Sequence, residues 1–550
     1  MPVIKVEYAE LKRMLGVEMG DDELMERLPL LGCDIEGFDG RYLYIEYFPN
    51  RPDLYSIEGI ARAYRAFFGI EPGLREYTAE EAKNYLIVDK SVSGVRDYVV
   101  ACEVKNVKLD DELIAELMEL QEKLHWALGR DRKKVSIGVH DSSRVTPPFR
   151  YTTVAPEEIR FVPLGYEQEM TPKQILEEHP KGIEYAHIIS AYDRYPIILD
   201  SHNNVLSLPP IINGELTRVT EATEEFFIDV TGTDLKLISQ ALNILATALV
   251  ERGFTVRKLE VRYPDKTLTT PDFSPEVKKL RKSYANRMLG LSLSNEEIKA
   301  CLERMGYGVR IKDGEELEVL VPCYRCDIFH EIDLVEDVAI GYGYGSFTTT
   351  LPEVLTTGEK LPVEELGEKL RMLMLGYGIT EVMSLMLTNE RENFYHLRRE
   401  GEAVRIKNPI SEEHTIVRTS LLPSLMGVLR LNKHRELPQR IFELGDVVVL
   451  DTSAETGASR QRRLGIALIH DRASFTEVKA LLQALMRDLG IEDYKVVARE
   501  DPAFIPGRCA SVMIGEREVG IFGEIHPEVL TNFELEYPVA ALELEVEALI

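Results

Sequence analysis

Four carboxylates gather in one short stretch of this chain. Asp327, Asp333, Glu336 and Asp337 lie in VPCYRCDIFHEIDLVEDVAIGYGYG, residues 321–345. If a helix starts near Glu331, then Asp333, Glu336 and Asp337 stand at i, i+3 and i+4 on one face, and Asp327 reaches the same spot from the preceding turn. Carboxylates that converge without a nearby base raise one another's pKa. A hard divalent cation relieves that repulsion, and an all-oxygen donor set suits Mg2+ better than Zn2+. The competing reading is a solvated acidic helix face. No nucleophile accompanies the acids and no GxxxxGK[ST] loop occurs, so an ion here is expected to be structural or interface-forming. Arg325 is the one obvious basic neighbour, too little for a phosphoryl-transfer site. Cys323 and Cys326 form a lone CxxC without the further ligands that zinc needs, and they are expected to be ordinary thiols.

The frame that must position these acids occurs twice. At an offset of 274 residues (Met14 to Met288), Met14-Leu15-Gly16 recurs as Met288-Leu289-Gly290, and Arg13 as Arg287. Leu24 and Leu28 meet Ile298 and Leu302, so one helix face is apolar in both copies. Gly32 meets Gly306, a helix C-cap in each. Leu43 and Ile45 meet Leu317 and Val319 with strand alternation. Arg51 and Asp53 meet Arg325 and Asp327, and Gly69 meets Gly343. We read two copies of a helix–helix–strand–turn–helix module, one N-terminal and one central. At the registers of Asp333, Glu336 and Asp337 the first copy has Gly59, Arg62 and Ala63, so the acids' chemistry belongs to the second copy alone.

A chain of 550 residues implies three or four domains. With 45% hydrophobic and 29% charged residues it can bury ordinary cores. No run of eighteen apolar residues occurs, so no membrane span is expected. The opening MPVIKVEYAELKR lacks a signal peptide's apolar stretch. Six cysteines in this length are no disulfide framework, which points to the reducing cytoplasm. A net charge of −28 argues against a surface that grips nucleic acid throughout. It leaves local basic patches at Arg130, Arg132, Lys133 and Lys134, at Lys278, Lys279, Arg281 and Lys282, and at Arg430, Lys433, His434 and Arg435. Taken alone, each is better explained as a solvated helix end or turn.

Between the modules, DDELIAELMELQEKLHWAL reads as a helix and VSIGVH, FRYTTV, PIILD and FFIDVTG as strands. A long amphipathic helix follows from about Asp234 to Glu251, capped by Thr233 or Asp234 and ended by Gly253. The Pro-rich stretch 263–276 reads as a linker. From about 350 the pattern is α/β, with helices at 363–376 and 474–489. The expected division is 1–88, 89–262, 268–346 and 350–550.

These residues carry a family resemblance. FPNRPDLYSIEGIARA (48–63) resembles the N-terminal module of phenylalanyl-tRNA synthetase β subunits. Residues 321–344 resemble that family's central module, in which acids at these positions bind Mg2+. IKNPISEEHTIVRTSLLPSLMGVLRLN (406–432), IFELGDVV (441–448) and VGIFGEIHPEVL (519–530) resemble its C-terminal domain. RKKVSIGVHDSSRV (132–145), with SLPPIINGE and FFIDVTGTD inside 207–234, is similar to the editing domain of the archaeal/eukaryotic type. The bacterial type carries further tRNA-binding-like and anticodon-binding domains, for which this chain has no room. The resemblance implies a mixed α+β multidomain fold. Its parts are two winged-helix-like modules, an α/β editing domain and a class II synthetase-like antiparallel sheet with helices. It also implies a catalytic α partner in an (αβ)2 assembly, with ATP, Mg2+ and tRNA(Phe).

The same resemblance shows what the tail lacks. Class II adenylation uses an Arg in an (F/Y)RxE loop and another in GxGxGxxR, because a guanidinium fork binds phosphate bidentately. Arg418 is followed by Thr-Ser-Leu-Leu, no GxGxGxxR occurs, and GIFGE (520–524) lacks its Arg. The chain is therefore expected not to adenylate alone but to pack on the α subunit through a large apolar interface.

For editing, an apolar pocket rejects an added hydroxyl only about 10²-fold, so a second site that hydrolyses Tyr-tRNA(Phe) gains by demanding the hydroxyl. Its candidate lining is His140, Asp141, Ser207, Asp229 and Thr231. Asp229 or Ser207 is expected to bind the tyrosine hydroxyl, and Thr231 or backbone amides to place the water. Spacing alone assigns no Ser-His-Asp triad. The alternative function is a non-catalytic tRNA-binding or scaffolding protein built from synthetase modules.

Overall fold

In VIKVE the buried Ile4 and Val6 alternate with the more exposed Val3, Lys5 and Glu7, which gives a strand one buried face. This strand, β1 (Val3–Glu7), opens the first module in a computed structural model that describes residues 2–16, 19–352, 354 and 356–550. Helices α1 (Tyr8–Leu15) and α2 (Asp21–Arg27), strands β2 (Cys33–Phe38) and β3 (Tyr42–Tyr47), and helix α3 (Ile57–Phe67) complete it. Its sheet runs β1-β3-β2.

The middle region contains β4 (Tyr85–Val88), β5 (Tyr98–Lys105), α4 (Asp111–Trp126), β6 (Val135–Asp141) and β7 (Phe149–Val154). Then come α5 (Pro172–Glu178), α6 (Pro180–Tyr185), β8 (Tyr195–Leu199), β9 (Val205–Leu208) and β10 (Ile212–Asn213). It closes with β11 (Phe226–Gly232), α7 (Leu235–Glu251), β12 (Thr255–Arg262) and β13 (Thr267–Thr270). One sheet runs β10-β9-β8-β7-β4-β12-β5-β11-β6, with β13 beside β12. Asp234 is the N-cap of α7, accepting from Lys236 and Leu237, and Gly253 takes a φ of 90° just past its end.

The second module repeats the first: β14 (Glu276–Arg281), α8 (Lys282–Leu289), α9 (Asn295–Arg304), β15 (Gly308–Ile311), β16 (Glu316–Val321) and α10 (Glu331–Tyr342), with sheet order β14-β16-β15. At the 274-residue offset α8 and β16 coincide with α1 and β3 residue for residue. Gly16 and Gly290 end the first helix of each copy in left-handed conformations, φ 70° and 68°.

Three features depart from the sequence reading. Each module has an opening strand and a further edge strand that were missed; β14, EVKKLR, buries only Leu280 fully, so no alternation shows. Strand β4 pairs with β7 and β12, so a boundary at 88 cuts into the middle sheet. The stretch 263–276 is no free linker. β13 pairs with β12, and the Thr270 hydroxyl both donates to the Ala101 carbonyl (2.7 Å) and accepts from its N–H (3.2 Å).

Residues Met1–Thr350 form one compact unit and Leu351–Ile550 another. The second unit holds α11 (Pro362–Gly376), β17 (Thr380–Glu381), β18 (Leu387–Thr388), α12 (Glu390–Asn393), β19 (Ile416–Val417) and α13 (Leu422–Leu431). Next are β20 (Gln439–Leu450), β21 (Ala458–Ile469), α14 (Phe475–Asp488), β22 (Tyr494–Ala498), β23 (Phe504–Ile514), β24 (Arg517–Ile525), α15 (Pro527–Asn532) and β25 (Val539–Glu545). Its main sheet runs β17-β20-β21-β25-β24-β23-β22 and is antiparallel except for β17 beside β20. Leu370, Met374, Leu482 and Leu485 of α11 and α14 pack on one side; Leu425, Leu429 and Val529 of α13 and α15 belong to a separate core cluster.

A charged clasp joins the first module to the middle domain. Arg252, just past α7, donates to Glu10 on α1 (2.9 Å), to Glu58 on α3 and to Glu116 on α4. Three carboxylates share one guanidinium. Burial first, opposed by Arg252 but reinforced by Glu58, Glu112 and Glu10, pushes the Glu116 carboxyl from its ordinary 4.5 to about 7. A carboxyl raised on folding contributes stability that is full below pH 4.5 and lost as pH rises through 7. Glu116→Gln should therefore raise the calorimetric melting temperature by roughly 2–4 °C at pH 8 and little at pH 5. A larger gain at pH 5 than at pH 8 contradicts this account of the clasp.

Candidate functional site

Strand β6 ends the middle sheet's path, so the backbone groups on its outer edge lack a neighbouring strand. Side chains take that place. The Ile137 N–H donates to His125 Nε2 (2.8 Å), and Gln121 Nε2 donates to the Ile137 carbonyl (2.8 Å). Asn213 Nδ2, from the opposite end of the sheet, donates to the Val139 carbonyl (3.3 Å). Between α4, β6 and the β9–β10 turn lies a cavity of about 450 Å3 whose wall includes Gln121, Arg132, Ser207, Pro210, Asn213 and Asp229.

Asp229 stands opposite Gly138 across the β11–β6 ladder. Its Oδ1 lies 2.8 Å from His140 Nε2, and His140 Nδ1 lies 2.8 Å from Thr217 Oγ1. A Cβ on Gly138 would sit 2.4 Å from Asp229 Oδ1 and 2.6 Å from His140 Nε2, so this pair needs glycine beneath it. Three buried polar atoms of the wall have no partner: Ser207 Oγ, Gln121 Oε1 and Arg132 Nε. Each such atom costs about 1–3 kcal/mol, which a polar ligand would recover.

Arg132 is reached by a strained strap. Arg130, Asp131 and Arg132 take left-handed φ values of 47°, 57° and 63° in succession, unusual for residues with a Cβ. The guanidinium donates to the carbonyls of Pro210 (3.3 Å) and Ile211 (3.0 Å) and to Glu122 (2.6 Å). Against its burial, which raises it, the hydrogen bonds and charges of His125 and Arg132 hold Glu122 down at about 2. Burial, above all, lowers the pKa of His125.

Of the five residues singled out from the sequence, Ser207 and Asp229 line the cavity, and His140 stands behind Asp229 as its partner. Asp141 instead fixes a turn, accepting from the Ser143 N–H (2.9 Å) and the Thr223 hydroxyl (2.9 Å). Thr231 accepts from Arg96 Nε (2.9 Å) and does not line the cavity. Gln121, Glu122, His125, Arg132 and Asn213 were missed. Their one signal was Gln121 and His125, spaced i, i+4 on a helix that buries Leu117, Leu120 and Leu124.

In the second module the acid-bearing helix begins at Glu331, as the spacing predicts. Burial first, then the charges of Asp337, Asp333 and Asp327, raises the pKa of Glu336, so the acids do converge. They do not converge without a base. Arg325 donates to both oxygens of Asp327 (2.8 and 2.7 Å) and to Asp337 (2.7 Å), and the Tyr307 hydroxyl also donates to Asp337. Asp333 caps its own helix, accepting from the N–H groups of Phe329 (2.8 Å) and His330 (2.7 Å). Among the described residues no group of three or more His, Cys, Asp or Glu is placed to hold an ion. As arranged, Asp327, Asp333, Glu336 and Asp337 do not fit a finished Mg2+ cage. Cys323 and Cys326 are free thiols, each pushed by burial to about 12.

In the second unit Arg418 donates to the Asp446 carbonyl (2.8 Å), to the Ser384 hydroxyl (2.8 Å) and, as an ion pair, to Glu443 (2.8 Å). It is buried and committed, not a phosphate ligand.

Known proteins resemble this chain in sequence along its whole length. Residues 347–546 match the phenylalanyl tRNA synthetase beta chain CLM domain, 278–344 the tRNA synthetase B5 domain and 107–261 the B3/4 domain. The phenylalanine–tRNA ligase β subunit of Methanothrix thermoacetophila is 47% identical over 548 residues, covering 99% of this chain and 100% of the relative. That of Archaeoglobus fulgidus is 46% identical over 552 residues, covering 100% and 98%. This chain belongs to the phenylalanyl-tRNA synthetase β-subunit family. An N-terminal fragment of the Pyrococcus horikoshii phenylalanyl-tRNA synthetase β subunit superposes with a TM-score of 0.60 at 38% identity, over 62% of this chain and 99% of the fragment. The archaeal relatives agree with the type read from the sequence, and the chain is a subunit of an aminoacyl-tRNA synthetase. The cavity lies in the B3/4 region of this β subunit.

Gly138→Ala, which drives a methyl group into the Asp229–His140 pair, should destabilise the protein by about 1–3 kcal/mol. A lower denaturation midpoint at unchanged slope is the expected reading. An unchanged midpoint means that the pair does not sit as described.

Proposed function

We propose that this chain supports, with an α partner, the ATP-dependent attachment of phenylalanine to tRNA(Phe), and that the cavity beside Asp229 hydrolyses mischarged Tyr-tRNA(Phe). The observation that carries the editing reading is a cavity with mixed polar and apolar walls in which the Asp229 carboxylate stands with three buried, unpartnered polar atoms. Asp229 or Ser207 receives the phenolic hydroxyl. A phenylalanyl ester leaves those groups unpaired, at about 1–3 kcal/mol each. Arg132 Nε–H, a charged donor without a partner, suits the ester carbonyl as negative charge develops there. Thr231 is engaged by Arg96, so placing the water falls to backbone amides and to the groups of the wall.

The second unit supports the partner reading. Met383, Leu385 and Leu387 are 94%, 70% and 41% exposed in and beside the short strands β17 and β18. Large apolar side chains this exposed mark a face for a protein partner. The α subunit in an (αβ)2 heterotetramer is our assignment for it, with ATP and Mg2+ used at the α site. An interface-forming Mg2+ at Asp327, Asp333, Glu336 and Asp337 would need ligands from outside this chain, because Arg325 already engages two of the four. No helix among the described residues is long and apolar enough to cross a membrane, in keeping with a place in the cytoplasm.

The test is reconstitution with the α subunit. Asp229→Ala should slow hydrolysis of Tyr-tRNA(Phe) at least about tenfold while phenylalanine charging is retained; undiminished hydrolysis sinks the editing site. Leu385→Asp should weaken co-purification with α and lower charging in proportion, whereas full assembly would move the interface elsewhere.

A further inference from the structure

Arg96 is a buried cation with no formal role in the cavity. It is 1% exposed, and its guanidinium donates to Thr231 Oγ1 (2.9 Å), the Thr231 carbonyl (2.8 Å) and the Lys133 carbonyl (3.4 Å). None of these acceptors is charged. Burial lowers its pKa to about 10, with the Asp229 charge acting the other way, so it remains protonated at neutral pH. Asp229 is thus the carboxylate whose charge supports it. The two anchor points matter: Thr231 lies two residues beyond Asp229 on the same face of β11, and Lys133 follows Arg132 on the strained strap.

The Asp229–His140–Thr217 chain admits more than one proton arrangement. The Thr217 hydroxyl can donate to the Gly214 carbonyl (3.2 Å) and accept from His140 Nδ1–H. Then Nε2 faces Asp229 either as an acceptor, which requires a protonated carboxyl, or as part of an imidazolium. Alternatively Thr217 donates to Nδ1, and Nε2–H donates to an ionised Asp229. The last arrangement is the one that sets a net negative Asp229–His140 pair against the Arg96 cation, which bonds Thr231 on the same face of β11. In that state Asp229 can only accept, which suits a phenol O–H.

We infer that Arg96 is a positioning residue for tyrosine discrimination, holding Asp229 from behind as a charged acceptor; this rests on the editing role proposed above. The charge is the operative property. Lysine should keep it, and glutamine should keep hydrogen bonding without it.

The experiment uses the αβ complex with tRNA(Phe) charged in advance with tyrosine or with phenylalanine. The quantity read is the ratio of the two hydrolysis rates, from which the folded fraction cancels. Arg96→Gln should lower this ratio about tenfold or more, towards that of Asp229→Ala, and Arg96→Lys should stay within about threefold of the parent. If Asp229→Ala collapses the ratio while Arg96→Gln retains it, or if lysine falls as far as glutamine, the inference is overturned and the editing site stands. An unchanged ratio in Asp229→Ala overturns both. If Arg96→Gln fails to assemble, Thr231→Val, which removes the hydroxyl that fixes the guanidinium, must lower the ratio, and an unchanged ratio there rejects the inference equally.

Discussion

The last strand of a sheet has to satisfy its outer edge, and much of the middle domain follows from how this chain does so. Another strand would close β6 and leave no cavity. Gln121, His125 and Asn213 supply the hydrogen bonds instead, at side-chain length rather than strand spacing. The gap they hold open is the cavity. Gly138 then lets Asp229 and His140 meet across the ladder, and the β9–β10 turn brings Ser207 and Asn213 to the other side. The site is therefore a consequence of sheet termination rather than an insertion into a finished fold.

The duplicated modules show a shared frame carrying different electrostatics. Arg51 grips Asp53 (2.8 and 2.8 Å) as Arg325 grips Asp327, and the two pairs act on one another: burial apart, Arg51 feels the opposing charge of Arg325 and the favourable charge of Asp327. Each guanidinium is held by a carboxylate of its own module, and that pairing offsets the repulsion between the two cations. Where the second copy has Glu336, the first has Arg62, buried against Tyr77, Thr247 and the ring of Tyr324. One copy thus spends its divergent position on packing, and the other keeps a half-exposed carboxylate.

What the sequence made legible follows from which features are local. Helices with caps and one apolar face, such as α7 and α9, and strands buried along their length, such as β6 and β11, stood out because local pattern and burial agree. The repeat exposed two modules, and Ser207 and Asp229 were found where the structure places the cavity. Edge strands β13 and β14 were not legible, since they bury too little to leave a period, and in β1 the exposed Val3 beside Ile4 masks a short one. The reach of Arg325 to Asp337 was hidden because it depends on α10 folding back over a turn. Gln121 and Arg132 were missed because a polar residue on an amphipathic helix, or after a turn, looks solvated until the opposing β9–β10 turn covers it.

The second unit bears on why such a chain depends on a partner. Two of its arginines are committed to carboxylates of its main sheet. Arg418 is paired with Glu443, and Arg463 with Glu543, which also accepts from Ser420. Removing one member of a buried pair costs far more than the pair itself contributes, so these arginines cannot be redirected to a nucleotide without loosening the sheet. Both guanidiniums are part of what holds the sheet together. What it still offers is a rigid scaffold with exposed apolar side chains, and burying those requires a second protein surface.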